Sequence, residues 1–81
     1  MSIVRPPLSA QARLIEAQRC VVSRQRRFDR ACNALIACPA DATPETRTLL
    51  AFQVDAERHD LTLHQAVLAA LQTDLSQESD S

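Results

Sequence analysis

The stretch Cys38-Pro39-Ala40-Asp41-Ala42-Thr43-Pro44 decides the fold. A residue that precedes proline is biased away from the α region, so a helix arriving from the N-terminal side must stop near Ala37. Thr43 then offers its hydroxyl as an N-cap. Pro44 takes the first helical position, where a missing N–H costs nothing, and Glu45 suits the positive end of a new helix. Ser9 is the matching N-cap at the start of the chain. The spacing predicts helices over about 10–37 and 44–75. A turn this short makes them an antiparallel two-helix hairpin, an all-α fold.

Outward from that turn, both segments repeat every seven residues. In the first, Leu14, Val21, Phe28 and Leu35 form a series, with Ala17, Ala31 and Cys38 between them. Arg24 is the one charged position in this heptad seam, and it either breaks the seam or pairs with Glu57 across it. In the second, Val54, Leu61, Leu68 and Leu75 recur, Leu50 and Leu71 take intermediate positions, and Glu57 and His64 interrupt. The second segment also carries an offset stripe: Leu49, Phe52, Ala56, Leu63, Val67 and Ala70. A two-helix hairpin covers one apolar face of each helix. The offset stripe has nothing intramolecular to bury it, which marks it as a partner surface.

Composition narrows the function. The chain has 81 residues, enough for one small domain, and 46% are apolar, too many for compositional disorder. Phe28 and Phe52 are the only aromatic residues, so Leu, Val, Ile and Ala build any core. There is no glycine, which argues against primed hairpin turns, phosphate-cradling loops and nucleotide-binding fingerprints. Most enzyme classes are thereby disfavoured, and a non-enzymatic role is expected.

The net charge of -1 hides a split. Residues 1–38 hold seven Arg against Glu16 and Asp29, a balance of +5, whereas residues 39–81 hold Arg47 and Arg58 against eight acids, a balance of -6. All nine cations are Arg, which suits bidentate pairing with carboxylates. Arg19, Arg26, Arg27 and Arg30 lie away from the seam and are the candidate electrostatic contacts. Acids of the second half, Asp55, Glu57 and Asp60 among them, are one set of partners, within the chain or between copies. Nucleic acid is the less favoured alternative, since no aromatic residue is interleaved for base stacking.

Nothing else points to a reactive centre. Cys20, Cys32 and Cys38 are odd in number and contain no C-x-x-C, so they read as small hydrophobes rather than a disulfide or zinc framework. His59 and His64 stand five apart, which is not a metal-pair spacing on a helix. A nucleophilic set drawn from Cys32 or Cys38 with His59 and Asp60 lacks an oxyanion hole. No metal or cofactor is expected. Residues 1–8 lack the apolar core of a signal peptide, and no apolar run reaches the ~20 residues of a membrane span, so the chain is expected to be cytoplasmic as synthesised. Pro6-Pro7 predicts an extended lead-in over 1–8, and the polar run 76–81 predicts a frayed tail.

Residues 34–61 carry a resemblance. Ala34-Leu35-Ile36-Ala37-Cys38 leads through a Pro-x-Asp-x-x-Pro turn to Leu49-Leu50-Ala51-Phe52-Gln53-Val54, and Leu61 follows seven residues beyond Val54. This pattern resembles the small needle and inner-rod subunits of bacterial type III secretion systems. Leu49, Leu50, Ala51, Gln53 and Leu61 match the family's second helix. His59 and Asp60 stand where Tyr and Asn are usual, and the family's later Lys has no counterpart. The resemblance implies a virulence-associated protein-transport role. The subunit would be exported without a cleavable signal and would polymerise through its second helix. On this reading Leu49, Phe52, Gln53, Leu63 and Val67 form the interface. The alternatives are a small co-chaperone of the same export system in a fixed complex, and an Arg-rich hairpin that docks on nucleic acid or a protein target.

Overall fold

The computed structural model describes residues 9–79, with side chains through Gln77. Helix α1 spans Ala10–Ile36 and helix α2 spans Pro44–Ser79, and the two pack as an antiparallel hairpin. The expected lead-in over residues 1–8 lies outside the described residues.

The caps form where their chemistry requires. Ser9 Oγ accepts from the Ala12 amide at 3.1 Å, and Ser9 O accepts from Arg13 N at 3.0 Å. Thr43 Oγ1 accepts from Thr46 N at 3.2 Å, and Pro44 opens α2 as its first residue. Helix α1 closes at Ala37, which stays in the right-handed region. The turn then runs without a single positive φ among the described residues, so the absence of glycine costs it nothing. Ala42 N donates to Pro39 O at 3.0 Å. Arg47 reaches back from the first turn of α2, its Nη2 donating to Ala40 O at 2.7 Å. This side chain-to-backbone brace stands in for a longer capping motif.

The two heptad series meet. Every one of Leu14, Ala17, Val21, Arg24, Phe28, Ala31, Leu35 and Cys38 is buried or half-buried. The same holds for Leu50, Val54, Glu57, Leu61, His64, Leu68, Leu71 and Leu75. Register follows from shared grooves: Ala31 lies beside Gln53 and Glu57, and Ala17 beside His64 and Leu71. The buried seam residues of α1 are alanines, Ala17 and Ala31, and those of α2 are Val54 and Leu61. Small side chains on one helix let the larger ones of the other approach. Arg58 of α2 covers the Phe28 ring at 5.9 Å from its centroid, an interhelical cation–π contact.

Two expectations need correction. Helix α2 does not stop at Leu75 but continues to Ser79. The run Ser76-Gln77-Glu78-Ser79 is polar, yet it holds no glycine or proline to end a helix. The tail reading therefore fails for residues 76–79, and residues 80 and 81 lie outside the described residues. Arg24 neither breaks the seam nor pairs with Glu57. Its Nη1 lies 3.1 Å from Asp60 Oδ2. No helix of the described residues is long and apolar enough to cross a membrane.

Candidate assembly surface

The offset stripe of α2 is open to solvent. Leu49 is 69% exposed, Phe52 66%, Val67 55% and Leu63 52%. The positions between them extend the pattern. Leu49, Phe52, Ala56, His59, Leu63, Ala66 and Ala70 alternate steps of three and four, and all are exposed. This is a second heptad seam on the side of α2 opposite α1. Its alanines leave the helix surface low between the larger apolar side chains.

The threonines beside this face bond within their own helix. Thr48, Thr62 and Thr73 each donate their hydroxyl to the carbonyl four residues earlier, on Pro44, Arg58 and Ala69, at 2.8, 2.9 and 3.0 Å. These donors are satisfied inside the helix, so covering them strands no hydroxyl proton. Glu45, Asp55 and Asp74 are exposed acids of the same helix; Glu45 continues the line itself, seven residues before Phe52, and Asp55 and Asp74 lie beside it.

Gln53 and Val67 sit differently from the rest of the predicted interface, at the edge of the stripe that faces α1. Gln53 lines a groove with Arg27, Arg30 and Glu57. Val67 lines an apolar groove of about 290 Å³ with Ala17, Cys20, His64 and Leu71. The predicted interface is therefore a broad face with one border in the interhelical groove.

The arginines are only partly where the charge balance placed them. Arg24 takes Asp60, and Asp60 Oδ1 also lies 3.6 Å from His64 Nδ1. Arg58 pairs within α2, with Asp55 at 3.8 Å. Arg19, Arg26, Arg27 and Arg30 are exposed and make no ion pair among the described residues. Of the basic side chains of α1 only Arg24 forms an ion pair within the chain; Arg27 and Arg30 border the groove shared with Gln53 and Glu57 without an ion pair to Glu57.

Sequence reasoning missed the outer face of α1. Ile15, Val22 and Ile36 are 47%, 51% and 82% exposed. Ile15, Val22, Asp29 and Ile36 recur every seven residues, the same signal that revealed the other seams. Arg19, Arg26 and Arg30 flank this series, and Ile15, Arg19, Val22 and Arg26 line one shallow groove.

His59 lies on the outer face of α2 while His64 is half-buried in the seam. The three cysteines are free thiols at intermediate burial. Among the described residues, no three His, Cys, Asp or Glu side chains gather as metal ligands. No protein-family model, curated protein or solved structure matches the chain.

Proposed function

We propose that this chain is a non-enzymatic helical subunit that assembles with copies of itself through the outer face of α2. One observation carries the reading. Among the described residues the hairpin buries four, Ala17, Ala31, Val54 and Leu61, while seven large apolar side chains stay open to water. A core that small leaves a folded chain of this length marginal. The exposed residues are not scattered but fall on heptad repeats, which is the pattern a second helix covers.

The resemblance of residues 34–61 to type III secretion needle and inner-rod subunits gives the proposal its concrete form. In that form the hairpin is an exported building block of a protein-transport conduit, and α2 makes the contacts between subunits. The Leu49-Leu50-Ala51 and Gln53 matches support it, and so does the position of Leu49 on the exposed stripe.

Light scattering after size exclusion, over a range of concentrations, tests the reading. The expected result is growth into large species, lost in Phe52→Asp and Leu63→Asp variants that keep their helicity. A single small complex that never grows would overturn self-polymerisation in favour of the fixed co-chaperone complex. A chain that stays monomeric throughout would overturn self-assembly altogether.

A further inference from the structure

Resting on the assembly reading, we infer that the acceptor for the α2 stripe is the Arg-flanked outer face of α1 on the next copy. The two faces are complementary in both polarity and charge. On α1, Ile15, Val22 and Ile36 form an exposed apolar line, interrupted once by Asp29, which accepts from Gln25 Nε2 at 3.1 Å, and flanked by Arg19, Arg26 and Arg30. On α2, Leu49, Phe52 and Leu63 form an exposed apolar line that Glu45 continues, with Asp55 and Asp74 beside it.

Spacing also agrees. Both lines repeat every seven residues, ~10.5 Å along a helix, so side chains that interlock at one repeat interlock at the next. Arg19, Arg26, Arg27 and Arg30 have no ion pair among the described residues, so docking breaks none on the α1 side, while on the α2 side Asp55 would exchange its 3.8 Å pair with Arg58. An α2–α2 contact would instead bring the acids of two α2 helices together, and like charges across an interface count against it.

Such a contact has a consequence for symmetry. The surface that docks and the surface that receives are different parts of one chain. A docked pair therefore still presents one free stripe and one free basic face, and growth does not close on itself unless the rotation happens to form a ring. An α2–α2 contact would be self-complementary and would stop at a dimer.

The experiment mixes two differently blocked full-length chains. One carries Arg19→Glu with Arg26→Glu, and the other Phe52→Asp with Leu63→Asp. All four positions are exposed, and circular dichroism of each variant confirms that the hairpin persists. Each variant alone is expected to stay monomeric where the wild type grows. The mixture is expected to give a complex of twice the chain mass that stops there, read by sedimentation velocity. Raising salt from 0.05 to 0.5 M should raise the concentration needed for wild-type growth roughly tenfold. If the Arg variant assembles like the wild type, or the blocked pair forms no complex, the α1 acceptor is wrong while assembly itself stands. If the wild type never assembles, both readings fall together. Retention of a DNA or RNA oligonucleotide that the Arg variant loses, with assembly unaffected, would assign the basic face to nucleic acid instead.

Discussion

Arg24 Nη1 lies 3.1 Å from Asp60 Oδ2, joining the two helices near the middle of the hairpin. Arg24 occupies the only charged seam position of α1, flanked by Val21 and Phe28. The pair is about one-third open to solvent, with side chains 27% and 36% exposed. Water therefore screens it, and its coupling belongs near the upper end of surface pairs, about 0.5–1 kcal/mol. A double-mutant cycle of Arg24→Ala and Asp60→Ala, by urea unfolding of the monomer at low and high salt, should show this coupling and its decline with salt. Replacing the pair by Arg24→Leu with Asp60→Ala should leave the hairpin at least as stable. An apolar seam residue contributes as much without the desolvation of a guanidinium. If the ionic pair also helps to fix register, a slipped or parallel pairing in that variant would show it.

The two faces of α2 should respond oppositely to truncation. Leu61 is buried against α1 and Leu63, two residues on, is half open. Leu61→Ala removes packed methyl groups and leaves a gap, a cost of about 2–3 kcal/mol that this small core can hardly sustain. Loss of a cooperative thermal transition is the expected readout. Leu63→Ala should change monomer stability by less than ~0.5 kcal/mol, and act on assembly instead. Equal destabilisation by the two would show that Leu63 is packed within the chain.

Two side chains of the turn make hydrogen bonds whose loss can be measured. Thr43 supplies the N-cap of α2, and Arg47 holds Ala40 O at 2.7 Å. Thr43→Ala should cost about 1 kcal/mol. Arg47→Ala should cost about 0.5–1.5 kcal/mol through loss of a charge-assisted hydrogen bond to the backbone. Both should appear in the unfolding midpoint with an unchanged dependence on denaturant. Loss of secondary structure in Arg47→Ala would indicate a larger role, in closing the hairpin itself.

These elements also show what was legible beforehand. Helix starts were plain, because Ser9, Thr43 and Pro44 act locally and need no tertiary context. The seam was plain because Val54, Leu61, Leu68 and Leu75 repeat every seven residues with large apolar side chains throughout, whereas the offset stripe alternates them with alanine. The end of α2 was not, since polarity alone does not stop a helix and Ser76–Ser79 meets no glycine or proline. The partner of Arg24 was not, because Glu57 and Asp60 are both within a helical turn of the facing level. The choice rests on a register that the turn sets to within one residue. The outer line of Ile15, Val22 and Ile36 carried the same periodic signal as the others. Asp29 in the middle of it and the arginines around it made the face read as merely solvated.

His59 is the weak point of the proposed assembly surface, and replacing it should strengthen association. It holds a stripe position between Ala56 and Leu63, seven residues after Phe52, and it is exposed with no described interaction of its own. Covering it by a partner helix removes an imidazole from water, which opposes docking unless an acceptor such as Asp29 of the receiving face meets it. Leucine at that position would convert the penalty into apolar burial, about 1.5 kcal/mol or more. That corresponds to a concentration for assembly lowered at least tenfold. His59→Leu measured by sedimentation alongside the wild type gives the comparison, with monomer unfolding as the control for the hairpin. The substitution lies away from the seam, so the unfolding midpoint of the monomer should hold. Unchanged assembly in His59→Leu would mean that the contact passes to one side of this position, towards Gln53 and Val67 and the groove beside α1.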